Sequence, residues 1–567
     1  MKTPRRAFLK TVPAVAAGLA APSFAGGVDA QAQAPSGVTS ETLGIAQQVV
    51  GVNLPAAERE QAKTLVQRNL ANIEAVRNVN VSLELEPAFS YRPFDSAQGR
   101  PSKKPVSPRP PRSPREVVLG TRPANLEDLA FESVASLGAR LRAKQVTSTE
   151  LTKMYLARLK RADEKLFCVV TFTEELALAQ AAQADKEIRG GKFRGPLHGI
   201  PYGIKDLFAT KGILTTWGAK PYSTEVPDHD ATAVIRMRDA GAVLIAKLAT
   251  GELAVGDLWF RARTRNPWNP EKGSSGSSAG PASAASAGLV GFAVGTETGG
   301  SIMSPASTCG VVGLRPTYGR SSRFGCMTLR WTLDKVGALA RTVGDTALVL
   351  EALHGPDGHD ETVADLPFHW SGDVSVRGAR LGYIESEFAS APPAAKTLLS
   401  DALEIYRKAG ATLVPMKMPD LPANALYALL NAEAGAMFDE LVRSGGINEM
   451  ADKGVNGRAN QLRAARFIPA VDYIRAQRVR TLLLQQVNAL FAPGPNQLTA
   501  FLAPSTSDSV TACNLTGHPA ITVPAGFVDG LPIGLMVTGP LYEEDQILRV
   551  AGAFEAATEW HKKYPTI

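Results

Sequence analysis

Apolar residues recur at two different spacings along this chain, and the two patterns alternate over most of its length. In LPAAEREQAKTLVQRNLANIEAV, residues Ala62, Leu65, Val66, Ile73 and Val76 fall every three or four positions or at their multiples. That spacing predicts a helix with one buried stripe, and Pro55 suits its start. TSTELTKMYLARLKRAD predicts another: Thr147 and Glu150 have the spacing of a capping box, and Leu151, Met154, Tyr155 and Leu159 share one face. GAVLIAKL and PAITVPAGF are short unbroken apolar runs bounded by Gly or Pro, which predicts buried strands. Helical stretches alternate with such runs from residue 117 onward. The pattern predicts a layered α/β fold, with residues 117–567 as one large domain.

Two segments fall outside the pattern. The N-terminal RRAFLKTVPAVAAGLAAPSFAGGVDAQAQA sets Arg5 and Arg6 ahead of Phe8, Leu9 and Lys10, then gives a mildly apolar run and small-residue sites. It reads as a twin-arginine export signal over residues 1–34, cleaved after Ala32 or Ala34, and predicts a periplasmic or secreted protein. Residues 35–97 form an N-terminal helical region. After it, QGRPSKKPVSPRPPRSPR packs six prolines and six bases into residues 98–115. Such a stretch buries almost nothing, so 98–116 reads as a disordered or polyproline linker.

These two segments also explain the charge. The chain carries a net +7, yet residues 1–28 hold four bases and no acid, and residues 97–115 hold six bases and no acid. The remainder is therefore net acidic, which gives no support for a nucleic-acid partner. No apolar run is long enough to span a bilayer. Cys168, Cys309, Cys326 and Cys513 lie far apart without metal spacing, and free, mostly buried thiols are expected.

The chemistry centres on VGTETGGSIMSP, where Ser301 follows two glycines in an apolar neighbourhood. A serine hydroxyl needs a proton acceptor before it attacks anything, usually a histidine. No histidine lies within thirty residues of Ser301, and the seven in the chain form no ligand cluster. His518, in a glycine-containing turn, reads as structural. There is no HExxH, Walker loop or GxGxxG. GSSAG at residues 276–280 fits the GxSxG nucleophile elbow with Ser278 at its centre. The polar, proline-rich TRNPWNPEKGSSG that leads into it cannot be the buried strand an elbow requires. A serine activated by a neutral lysine remains, with Lys205 in LHGIPYGIKDLFAT as candidate after an apolar run. Such a lysine must be desolvated to lose its proton near neutrality. The competing reading of Lys205 is a surface lysine paired to Asp206.

Taken in order, GIPYGIKD, GSSGSSAGPASAASAGLV, GTETGGSIMSP and CGVVGLRPTYGR resemble the amidase signature family. The resemblance continues through LDKVGALARTVGDTALVL and NLTGHPAITVPAGFVDGLPIGLMVTG, covering most of residues 125–560. It implies a mixed β-sheet sandwiched between layers of helices. It also implies a Ser–cis-Ser–Lys triad with Ser301 as nucleophile, Lys205 as base and Ser277, 24 residues before the nucleophile, as the bridging serine after a cis Gly276–Ser277 peptide. Ser274 and Ser275 then belong to a lead-in. The backbone N–H groups of Thr298, Gly299, Gly300 and Ser301 would form the oxyanion hole. The implied activity is hydrolysis of a small-molecule carboxamide without metal or cofactor, and a homodimer is compatible with the resemblance. The rival functions are an amidotransferase component working with partner subunits, and a non-catalytic binding protein on the same scaffold. The export signal opposes the first, and retention of Lys205, Ser277 and Ser301 opposes the second. Glu297 stands where the family commonly has aspartate, Ala279 where it has glycine and Met303 where arginine often follows the nucleophile.

Overall fold

The structure, a computed structural model, describes residues 37–82, 85–89 and 118–567. The expected export signal at 1–34 and linker at 98–116 lie outside the described residues. In chain order the strands are β1 (Val169–Phe172), β2 (Pro201–Lys205), β3 (Val243–Leu248), β4 (Arg265–Asn266), β5 (Asn269–Gly273), β6 (Phe292–Glu297) and β7 (Val312–Arg315). They continue with β8 (Lys335–Ala340), β9 (Arg380–Ile384), β10 (Thr412–Met416), β11 (Ala500–Pro504), β12 (Ala520–Val528) and β13 (Leu531–Thr538). β4 and β5 pair as a hairpin, and the rest form one eleven-stranded sheet in the order β1-β3-β2-β6-β8-β7-β12-β13-β11-β9-β10. β3, β2 and β6 run parallel to one another, as do β11, β9 and β10, while the centre from β6 to β11 is antiparallel.

Helices cover both faces of this mixed sheet. Successive strand residues point to opposite sides, and along β11 Phe501 and Ala503 enter one apolar cluster while Ala500 and Leu502 enter another. β13 divides the same way, Met536 against Leu535 and Val537. One cluster is closed by the helices Ser148–Leu166 and Ala470–Ala489, the other by Pro393–Lys408 and Glu544–Ala556. Burial on both faces is why β3 reads as a continuous apolar run rather than an alternating one; all six of its residues are buried.

The helix over Ser148–Leu166 begins as its sequence predicts. The Thr147 hydroxyl accepts from the Glu150 N–H (3.1 Å) and the Glu150 carboxylate accepts from the Thr147 N–H (2.8 Å). Ala62, Leu65, Val66, Ile73 and Val76 are the buried residues of the helix Ala56–Arg77. This helix docks on the catalytic body: Glu58 pairs with Arg463 (3.0 Å), Arg77 with Asp472 (2.9 Å), and Arg475 donates to the carbonyls of Arg77 and Val79 (2.8 Å each). All four cysteines are free, three of them buried.

Candidate active site

Three chain segments converge beside the parallel strands. β2 ends on Lys205 and β6 ends on Glu297. Between them in sequence, the turn at 274–278 opens the buried helix Ala279–Ser286, and Ser277 follows a cis Gly276–Ser277 peptide. Lys205 is 0% exposed, and its Nζ lies 2.9 Å from Ser277 Oγ. The same nitrogen donates to the Thr296 hydroxyl (2.8 Å) and carbonyl (3.4 Å). Burial pushes the Lys205 amine down to about 7, against the opposing pull of Cys326, Asp334 and Glu297. A neutral amine has two N–H groups and one lone pair. Thr296 takes the hydrogens, and the lone pair is left to face Ser277.

The competing pairing with Asp206 does not occur. Asp206 points to the opposite neighbour, 3.2 Å from the buried Lys247, and accepts from the Thr216 N–H (2.8 Å) and hydroxyl (2.6 Å). Adjacent residues in a strand face opposite sides, so Lys205 and Asp206 are separated by the backbone itself.

Ser301 is half-buried on the turn that follows β6, and its carbonyl accepts from the Ser278 N–H (3.1 Å). That bond sets the 276–278 turn against the 298–301 turn. The Ser301 hydroxyl makes no hydrogen bond to Ser277 among the described residues, so the Lys205–Ser277 contact is formed and the Ser277–Ser301 contact is not. The N–H groups of Gly299, Gly300 and Ser301 donate to no protein group among the described residues. They are available to an incoming oxygen. Gly300 has φ +126°, where a side chain would be strained, and a Cβ on Gly299 would collide with the Tyr427 hydroxyl. Thr298 is held apart from this row, its hydroxyl donating to Asp334 (2.7 Å).

A buried ion pair fixes the turn from behind. The Glu297 carboxylate accepts from the N–H groups of Ile302 (2.6 Å) and Met303 (2.8 Å), from Arg315 Nη1 (2.8 Å) and from Asn514 Nδ2 (2.8 Å). Burial alone would raise Glu297, but the Arg315 charge, the Met303 N–H and Asn514 outweigh it and hold the carboxyl below its usual range. Met303 leaves the network: its sulfur takes the Thr522 hydroxyl at 3.2 Å. Glu297→Ala would strand the Arg315 guanidinium and free the residues just after Ser301. It is expected to cost roughly 3–5 kcal/mol in urea unfolding and to depress turnover of the surviving folded protein.

The remaining serines and histidine have other roles. Ser278 is fully buried and donates to the Thr296 carbonyl (3.0 Å), and no buried strand leads into it, since the preceding β5 is largely exposed. Ser275 shares a hydrogen with Ser304 (2.8 Å), and Ser274 donates to the Ser275 carbonyl (2.9 Å). His518 is buried against Thr516 (2.8 Å), with its ring pushed down to about 3 by burial. Tyr427 and Arg330 escape a reading from sequence. Tyr427 closes over Gly299, and the Arg330 guanidinium lies 3.9 Å from its ring centroid while donating to the Tyr427 carbonyl (2.7 Å).

A desolvated lysine–serine pair beside an open row of backbone donors, carried on a helix-sandwiched mixed sheet, defines a site of the serine-hydrolase kind. The amidase family model matches residues 150–548, and the chain belongs to that family, the amidase signature enzymes. It is an amide-hydrolysing enzyme. It is 37% identical over 476 residues to the A-type component of the glutamyl-tRNA(Gln) amidotransferase of Geobacter metallireducens, covering 76% of this chain and 98% of the relative. Among solved structures, the peptide amidase from Stenotrophomonas maltophilia is 31% identical with TM-score 0.68, covering 76% of this chain and 98% of that one. A structure described as a vestigial protein complex bearing on the origins of an s-triazine catabolic enzyme is 27% identical with TM-score 0.69, covering 75% and 98%. No helix among the described residues is long and apolar enough to cross a membrane.

Proposed function

We propose that this protein hydrolyses a small-molecule carboxamide through an acyl-enzyme on Ser301. Ser301 passes its proton to Ser277, and Ser277 passes its own to neutral Lys205. The attacking oxygen adds to the amide carbon, and the developing oxyanion is received by the N–H groups of Thr298, Gly299, Gly300 and Ser301. The proton then returns from Lys205 through Ser277 to the leaving nitrogen, and water releases the acyl group by the same path. The observation that carries this reading is the fully buried Lys205 Nζ, 2.9 Å from Ser277 Oγ and depressed by burial to about 7. In this reading substrate binding turns the Ser301 hydroxyl onto Ser277, as catalytic hydrogen bonds commonly tighten only in the loaded enzyme. Assaying the purified protein on primary amides, anilides, peptide amides and fatty acyl amides tests the reading, and a lack of turnover on all four would count against it.

A second reading, an amidotransferase component, is favoured by the names of relatives such as that from Geobacter metallireducens. It predicts release of ammonia from glutamine only when partner subunits are added. We also propose export through the twin-arginine segment at residues 1–34. Replacing Arg5 and Arg6 with lysine is expected to leave the chain in the cytoplasm, checked by fractionation; undiminished export of that variant would refute the assignment.

A further inference from the structure

A second cavity shares no lining residue with the lysine–serine site. It is walled by the helices Val134–Arg142, Val343–Leu353 and Glu544–Ala556 and by the segment that carries Trp370 and Val374. Its volume is about 360 Å³, within the roughly 300–1,000 Å³ typical of small-ligand pockets. Most of the wall is hydrocarbon, but its polar groups are unevenly matched. Asp345, Glu351 and Glu555 supply three carboxyls, against the single guanidinium of Arg142.

Two of these carboxyls lack an adequate answer from the protein. Asp345 is 1% exposed, and its Oδ1 accepts a long bond from the Ala135 N–H (3.3 Å) while Oδ2 takes no hydrogen bond. Glu555 Oε2 accepts from the Val343 N–H (2.8 Å), and the rest of its carboxyl keeps its open surface toward the cavity. Burial pushes Asp345 up and raises Glu555 to about 8, helped by the Asp345 charge nearby. No neighbouring cation is free to neutralise them. Arg341, whose charge reaches Asp345, spends its guanidinium on the carbonyls of Phe131, Glu132, Ala285 and Val290. His561, also in the wall, is pushed by burial below its usual range and stays neutral. A buried acceptor with no donor is costly, and a donor brought by a ligand removes that cost.

We propose that this cavity binds a small primary amine, its ammonium held by Asp345 and Glu555 and its hydrocarbon or aromatic body packed against Leu348, Trp370 and Val374. The uncompensated carboxyls select a cation with several N–H donors, and the apolar wall selects a short tail over a hydrated ion. This site stands independently of the catalytic reading.

The test titrates 2-phenylethylammonium into the full chain by calorimetry, with 2-phenylethanol and phenylacetate as tail-matched neutral and anionic probes. The expected result is saturable one-site binding of the ammonium, with both other probes weaker by about tenfold or more. Glu555→Gln, nearly isosteric, and Leu348→Trp, which fills the cavity, are each expected to weaken ammonium binding by about tenfold or more. Absence of saturable ammonium binding, equal binding of the alcohol, or undiminished binding to Leu348→Trp would overturn the proposal. If Leu348→Trp does not fold, the three-probe comparison on the unaltered protein and Glu555→Gln still decide it.

Discussion

Ser301→Ala is expected to reduce amide turnover by roughly 10⁴–10⁶-fold, the scale seen when a hydrolase loses its nucleophile. The loss should fall on kcat rather than KM, because the hydroxyl is needed to form the acyl bond and contributes little to holding the substrate. Folding should be unaffected: Ser301 is half-buried, and the contact that fixes its turn is the Ser301 carbonyl to the Ser278 N–H, which alanine keeps. Ser278→Ala removes instead a buried hydroxyl bonded to the Thr296 carbonyl at 3.0 Å. Its expected effect is on stability, with substantial turnover remaining. Steady-state kinetics of the two variants, together with an unchanged melting transition for Ser301→Ala, separates the nucleophile from its neighbour.

Lys205→Ala is expected to lower turnover by about 10²–10⁴-fold near neutral pH, the usual worth of a positioned base. The pH profile carries the more specific signature. Burial holds Lys205 at about 7, and only the neutral amine can accept a proton. Activity of the unaltered enzyme should therefore rise as pH climbs through about 7, level off above, and fall on the acid side as the amine takes up a proton. Lys205→Ala should lose that acid limb along with its rate. Ser277→Ala should be severe but less complete, since water can replace a relay hydroxyl while the amine remains. A profile in which the limb persists in Lys205→Ala would move the base to another group.

The elements of this fold were legible where burial is local and periodic. The stripe Ala62, Leu65, Val66, Ile73 and Val76 gives the Ala56–Arg77 helix, and the capping pair Thr147 and Glu150 marks the start of the next predicted one. The order of the sheet was not, because its neighbours are chosen by contacts far apart in sequence: β6 lies between β2 and β8, and β9 between β11 and β10. The site divides the same way. Lys205, Ser277 and the 298–301 turn sit in motifs whose glycines and serines stand out in any stretch of chain. Glu297 could be noticed as a departure, but its partners Arg315 and Asn514 lie 18 and 217 positions away and meet it only in the folded core. Tyr427 gave no signal at all. In ALYALLNAEAGAMFDELV it is one apolar position of a helix, and its placement over Gly299 comes from how the helix Ala423–Leu429 packs.

Mass spectrometry of the protein after reaction with a serine-directed phosphonate tests the proposed acyl-enzyme most directly. The account predicts one covalent adduct per chain, mapped to the peptide containing Ser301, with labelling suppressed in Lys205→Ala and absent in Ser301→Ala. An adduct mapped to Ser278, or labelling that survives in Ser301→Ala, would contradict it.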